Sequence, residues 1–250
     1  MFPPSPAARA SQSARMVAKP LPRFHCANRP GILTERAANS AAAETPAPAA
    51  ARSVAGNLHA SLLLTDPGPA EHWPQLALVA ALAAHDAVVE VAPEVKPMLE
   101  LKWPNDLLLS GAKFAGILIE GEGREQEGAV AIGIGVNCTA HPAQAAAYPA
   151  TDLLAAGTNV SADRLFASLC VKMPGRLAQW NSGLGFATIR ADWLARAAGL
   201  GENIRVALPD RELAGRFEGL DEAGCLVLTG PDGAKEVVAA GEVISFGGSQ

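Results

Sequence analysis

LKWPNDLLLSGAKFAGILIE, residues 101–120, is the stretch on which the fold of this chain turns. Its apolar runs are four to seven residues long and separated by Pro104-Asn105-Asp106 and Gly111-Ala112-Lys113, which read as tight turns between strands. The spacing predicts a meander with strands at 99–103, 107–110 and 114–120. Within it lie Lys102, Asp106 and Lys113, and ionised groups among apolar residues are costly unless they have a partner or a task. Lys102 alternates with Leu101 and Trp103, so it faces away from both. Lys113 follows a turn glycine and precedes an apolar strand, so its ammonium can reach over the sheet. Two ammonium groups on one sheet suit a carboxylate or phosphate, with Asp106 balancing charge. Taken singly, each has a plainer explanation: a snorkelling strand lysine, a hairpin lysine, a turn-forming Asn-Asp pair.

Working outward, residues 58–65 (LHASLLLT) alternate as a strand and DPGP closes it. Pro74 suits the first position of a helix that continues through QLALVAALAAHDAVVEV, whose lack of polar residues predicts packing against a sheet. His85 in this helix reads as a satisfied core or edge residue. Residues 129–136 form a further strand, joined to the meander by the charged turn GEGREQEG. Gly133 and Gly135 fall on one face of it and leave room for a flat ligand against backbone. Helices are predicted at 162–179 and 186–198. From Gly201 short alternating strands with glycine turns predict a small β-barrel. The fold class is α/β (α+β): a mixed β-sheet backed by helices, then the barrel.

Of the 250 residues 49% are hydrophobic and 18% charged, which fits a globular chain with a sizeable core. No run of eighteen apolar residues occurs, so no membrane span is expected. The net charge of −5 gives no support to nucleic-acid binding. Residues 1–54 carry seven Lys or Arg against two acids, so the acidic excess lies in the body. That segment is rich in Ala and Pro, lacks periodicity and reads as largely disordered, with order beginning near Gly56. Cys26, Cys138, Cys170 and Cys225 show no metal-ligand spacing; free thiols in a reducing, cytoplasmic setting are expected.

KWPNDLLL, KFAGILIE and IGIGVN, in this order and spacing, resemble the catalytic core of biotin–protein ligases, and GNLHASLLL at 56–64 resembles the strand before that family's first long core helix. The last fifty residues are similar to its SH3-like barrel. The resemblance covers about residues 56–250 and implies a class II synthetase-like catalytic domain at 55–200 with an SH3-like barrel at 201–250. The resemblance implies the short type, with no DNA-binding domain expected before the core. The implied reaction joins biotin to ATP, taken with Mg2+, as biotinyl-5′-AMP, then passes biotin to a lysine of a biotin carboxyl carrier protein. No protein-held metal, nucleic acid or membrane is implied.

The resemblance also implies roles. Lys113 would contact the biotin carboxylate and the adenylate linkage, and Lys102 would face phosphate or the incoming carrier lysine. Asp106 would orient that amine or act as its base. Asn105 and Asn137 would contact nucleotide, while Gly116, Ile117, Gly133 and Gly135 would line the biotin and adenine walls. Trp103 would pack or shape the adenylate pocket.

The family pattern further expects a Ser-Thr-Asn helix start and a Gln-Thr-Ala-Gly-Arg-Gly-Arg type loop upstream of GNLHAS. Residues 37–55 read AANSAAAETPAPAAARSVA instead, without a glycine. That departure predicts weak retention of biotin and adenylate, with reduced or absent ligation. It leaves open a noncatalytic biotin- or carrier-binding remnant. A lipoate or octanoyl transferase shares the fold, but KWPND and the barrel speak against it.

Overall fold

The structure, a computed structural model, describes residues 55–123, 128–142 and 148–247, together with the backbone of 25–28. Its centre is a six-stranded sheet of β1 (His25–Asn28), β2 (Leu58–Thr65), β3 (Leu99–Lys102), β4 (Asp106–Leu109), β5 (Ala112–Glu122) and β6 (Ala129–Val136). The spatial order is β1-β2-β6-β5-β4-β3. Strand β2 alternates buried and exposed residues along its whole length, as its sequence predicts. It pairs with β6 from Leu58 opposite Val136 to Thr65 opposite Ala129. The inward rows of β2 and β6 meet as Leu58, Leu62 and Leu64 beside Val130, Ile132 and Val136.

All strand pairs in this sheet are antiparallel. Parallel pairing among the described residues is confined to the isolated bridges Leu101–Ala197 and Lys113–Ala150, so the mixed sheet expected from sequence is antiparallel in its ladders. The expectation for residues 1–54 lies outside the described residues, apart from the edge strand β1.

The meander is tighter than its sequence predicts. Asp106 opens β4 opposite Lys102, and the turn is Trp103 to Asn105, with a cis Trp103–Pro104 bond. DLLL is buried at all four positions, so pairing backbone on both sides outweighs the turn preference of Asp. The hairpin turn is Ser110-Gly111, both with positive φ as a type I′ turn requires, which moves Lys113 into β5.

Helices cover one face of the sheet. Helix α1 (Leu76–Val91) starts after a 3-10 turn, Ala70–Gln75, that takes up Pro74. The segment Ala70–Val91 is long and apolar enough to cross a membrane, but its most apolar window is 78% buried within the fold, which makes it a core helix. Helix α2 (Ala162–Trp180) is capped by the Ser161 hydroxyl accepting from the Arg164 N–H at 3.2 Å and ends at Asn181 in the left-handed region. Helix α3 (Phe186–Leu194) stops short of the expected Ala198. Its continuation is a turn, and the Ala197 bridge takes the chain to the edge of β3: Leu101 N–H donates to the Arg196 carbonyl and Ala198 N–H to the Leu101 carbonyl. Cys138, Cys170 and Cys225 form no disulfide among the described residues, and burial pushes the Cys138 thiol up, which makes it inert.

Strands β7 (Asn203–Ala207), β8 (Glu212–Leu220), β9 (Leu226–Thr229), β10 (Lys235–Val238) and β11 (Glu242–Phe246) form a second antiparallel sheet, ordered β10-β9-β8-β7-β11. Bulges between Phe217 and Gly219 and between Val243 and Ser245 interrupt its ladders and increase its twist. The order leaves β10 and β11 as edges, so this is a partly open barrel. Its inward residues, such as Phe217 and Val243, join the same hydrophobic core as the larger sheet.

Arg176 of α2 ties the three helices. It contacts Asp86 of α1 at 2.6 Å and Asp192 of α3 at 2.5 Å, and His85 is buried beside Asp86. Burial pushes the Asp86 carboxyl up, but hydrogen bonds from His85 and Arg176 and the Arg176 charge outweigh it and hold it below the ordinary range. A lowered folded-state pKa contributes stability above the unfolded value of about 3.9, lost as pH falls through the folded value. Arg176→Ala is expected to cost roughly 2 kcal/mol at pH 7, between surface and buried ion-pair values. Urea unfolding from pH 7 to pH 3 should show this difference shrinking below pH 4 as Asp86 protonates.

Candidate functional site

Five residues on the face of the large sheet away from the helices are register partners across five strands. Lys102 of β3 stands opposite Asp106 of β4, Asp106 opposite Gly116 of β5, Gly116 opposite Gly135 of β6, and Gly135 opposite His59 of β2. Neighbouring strands lie about 4.8 Å apart, so the row spans roughly 19 Å. Charge is concentrated at one end, two glycines floor the middle, and the exposed His59 closes the other. The adjacent row runs from Leu118 through Gly133 to Ser61. A Cβ on Gly135 would meet nothing nearer than the Gly116 carbonyl at 4.0 Å, so the trough is open above Gly135. Leu118 and Leu63 on the same face are 58% and 44% exposed, which makes its flank apolar.

At the charged end one carboxylate bridges two lysines. Asp106 Oδ1 lies 2.6 Å from Lys113 Nζ and Oδ2 lies 3.1 Å from Lys102 Nζ. Asp106 and Lys102 are buried, while the Lys113 side chain is 43% exposed at the trough. Glu242 of β11 approaches Lys102 Nζ at 3.8 Å, and the Tyr148 ring covers it with its centroid 4.3 Å away. These contacts supply charge, and among the described residues Lys102 Nζ makes no hydrogen bond of good geometry. A Cβ on Gly116 would lie 3.4 Å from Lys113 Cε and 3.5 Å from Asp106 Oδ1, so glycine there clears the approach to the pair. An exposed ammonium beside a glycine floor and an apolar flank can hold the anionic end of a molecule whose body is flat and largely apolar.

The other expected residues frame this trough. Asn105 donates its amide N–H to the Ile117 carbonyl at 2.7 Å while Ile117 N–H donates to the Asn105 carbonyl at 2.8 Å, clamping the KWPND turn to β5. Asn137 donates to the Thr151 carbonyl at 3.0 Å and accepts from Asn57 at 3.3 Å. Both, expected to reach nucleotide, thus spend side-chain donors on backbone. Ile117, expected in the ligand wall, is buried on the helix side of β5, because alternation turns Gly116 and Leu118 outward instead. Gly116, Gly133 and Gly135 all lie on the outward face of the sheet, Gly116 opposite Gly135 and Gly133 opposite Leu118. Trp103 is buried and donates Nε1–H to the Gly224 carbonyl, joining the meander to the C-terminal sheet.

Three residues that shape the site went unnoticed in the sequence. Asn57 accepts from the backbone N–H groups of Cys138, Thr139 and Ala140 through Oδ1, which fixes the chain leaving β6; its place in GNLHAS was the available signal. His59 is an outward position of β2, legible from alternation. Tyr148, the chain's single tyrosine, is 46 residues from Lys102 in sequence and carried no signal.

A different cavity, about 220 Å³, lies between β2, β6 and α2. Its lining includes Leu62, Ile134, Leu169 and Met173 and no charged residue, so it lacks the means to hold an anion. Among the described residues no group of three or more His, Cys, Asp or Glu could hold a metal ion.

Residues 52–137 match the family described as Biotin/lipoate A/B protein ligase family, and residues 199–245 match that described as Biotin protein ligase C terminal domain. The chain is 42% identical over 204 residues to a biotin–[acetyl-CoA-carboxylase] ligase of Paracoccus denitrificans, covering 78% of this chain and 82% of that protein. It is 33% identical to the protein of the same description from Mycobacterium tuberculosis, covering 70% of this chain and 64% of the relative. The fold is similar to that of the biotin protein ligase of Aquifex aeolicus in complex with biotin and ATP, with a TM-score of 0.62, 24% identity and coverage of 75% and 77% of the two chains.

The Asp106 bridge generates a stability prediction. Asp106→Asn is expected to cost roughly 3 kcal/mol, because it strips the closest counter-charge from a buried ammonium. Adding Lys102→Met should recover most of that loss in urea unfolding, since the unpaired charge is then gone.

Proposed function

Because the chain belongs to the biotin protein ligase family, we propose that it attaches biotin to a lysine of a biotin carboxyl carrier protein, as a biotin–[acetyl-CoA-carboxylase] ligase acting in the cytoplasm. The observation that carries this reading is the Lys113–Asp106–Lys102 bridge at the end of a glycine-floored trough. In the first step a biotin carboxylate oxygen bonds to the α-phosphorus of ATP as the bond to pyrophosphate breaks. In the second, the carrier lysine amine bonds to the biotinyl carbonyl, AMP leaves and the amine loses a proton.

Lys113, exposed at the trough, is suited to the negative charge that builds on carboxyl and phosphate oxygens in both steps. Lys102, an ammonium with three donors and one close carboxylate oxygen, is suited to phosphate oxygen. Asp106 has both oxygens engaged by lysines, which favours an orienting role over that of base. The described residues offer no carboxylate cage for Mg2+, so the ion would arrive on the phosphates of ATP. Gly116, Gly133 and Gly135 would let the bicyclic ring of biotin and the adenylate lie against backbone.

Residues 37–55 lack the Gly/Arg-rich sequence that would cover a reactive anhydride, which favours an impaired ligase that leaks adenylate or a remnant that only binds. Three measurements separate these outcomes: biotin-dependent ATP–pyrophosphate exchange, transfer of biotin to a carrier domain, and calorimetry with biotin. A leaky ligase consumes more ATP than it biotinylates carrier. A remnant binds biotin and releases no pyrophosphate. Lys113→Ala is expected to lower the exchange rate by about 100-fold or more. Gly135→Val should raise KM for biotin while leaving the unfolding midpoint unchanged, since valine suits an open strand position.

A further inference from the structure

A four-residue segment, 148–151, touches both lysines of the site and the C-terminal sheet. Its backbone brackets Lys113: Lys113 N–H donates to the Pro149 carbonyl at 2.7 Å, and Thr151 N–H donates to the Lys113 carbonyl at 2.9 Å. The Thr151 carbonyl in turn accepts from Asn137. Tyr148 lays its ring over Lys102 Nζ, 4.3 Å from the centroid, and meets the ring of Phe246 in β11 edge to face at 6.0 Å and 88°. The C-terminal sheet therefore supports the ring that covers Lys102, and the carboxylate of Glu242 from the same strand lies 3.8 Å from that ammonium.

The chemistry of this enclosure is specific. An ammonium carries three donors and no acceptor. That of Lys102 is fully buried, with carboxylates at 3.1 and 3.8 Å, and among the described residues none of its contacts has good hydrogen-bond geometry. Water at Nζ would take those donors and would have to be displaced by a reacting oxygen. The ring face instead offers attraction without direction, through its quadrupole. Burial pushes the Tyr148 phenol up to about 12, with the charges of Glu100 and Asp106 adding to it, so the ring stays neutral.

We propose that Tyr148 is a positioning residue for the ligase reaction: its ring face shields the Lys102 ammonium from water and keeps its donors free for the phosphate oxygen that gains charge. The inference rests on the ligase reading and adds to it a residue outside the motifs that carry the family resemblance. It also gives the C-terminal sheet a part in the chemistry, through Phe246.

The test compares Tyr148→Phe, which keeps the ring and loses the hydroxyl, with Tyr148→Leu, which loses the ring. In biotin-dependent ATP–pyrophosphate exchange the phenylalanine variant should stay within about twofold of the parent, and the leucine variant should lose roughly tenfold in kcat with KM for biotin unchanged. Lys102 should resist acetylation by an amine-reactive reagent in the parent and in Tyr148→Phe, and become labelled in Tyr148→Leu, with exposed Lys96 labelled equally in all three. The proposal is overturned if the leucine variant keeps its kcat, if phenylalanine is as damaging as leucine, or if the loss falls on KM for biotin. Should the parent show no exchange, the ligase reading fails and the labelling still decides: Lys102 protected in the leucine variant sinks the shielding role. If Tyr148→Leu does not fold, Tyr148→Met takes its place in both measurements.

Discussion

A single buried carboxylate, Asp106, lets two ammonium groups share one end of a sheet. Lys102 and Lys113 would repel each other across the intervening strand β4, and Lys102 is fully buried, where an unpaired charge costs several kcal/mol. Asp106 offers one oxygen to each and is itself held in register by ladders on both sides, opposite Lys102 and opposite Gly116. Both lysines therefore take their positions from that strand register. The side-chain period of a strand is two, so a slip of one residue in β4 would turn Asp106 into the core and strand both charges.

That register depends on the helix side of the sheet. DLLL in β4 is wholly buried, and the inward rows of β2, β5 and β6 lie under α1 and α2, so sliding any strand would expose apolar side chains. The helices are tied by Arg176 through Asp86 and Asp192, and the C-terminal sheet reaches the meander through Trp103 and Gly224. The trough face then needs no large side chains of its own, and glycines can occupy its middle. The sheet is stabilised from beneath, which leaves its upper surface free for a ligand.

Much of this was legible beforehand. The alternation of LHASLLLT and AVAIGIGV set strands whose bounds the structure reproduces at both ends. The apolar helix 75–91 and the glycine-punctuated C-terminal strands were equally clear. The errors share a cause. Asp106 and Lys113 read as turn residues from local preference, yet both are strand residues, because pairing on both sides of β4 and a type I′ turn at Ser110-Gly111 shorten the connections. Helix α3 ends early because β3 takes the following backbone as an edge partner, a contact almost a hundred residues away in sequence. Ile117, expected in the ligand wall, has its side chain buried, because strand alternation turns it to the helix side of β5.

By itself the sequence determined the period of each element, the residue types at the charged end and the glycines that leave the trough open, because these depend on neighbours along the chain. Only the tertiary structure decided that Lys102, Asp106, Gly116, Gly135 and His59 form one row, since antiparallel register aligns residues from five separate strands. Only it brought Tyr148, Phe246 and Glu242 around Lys102. Those contacts arise from two sheets packing together, and no local pattern in the chain encodes which surfaces will meet.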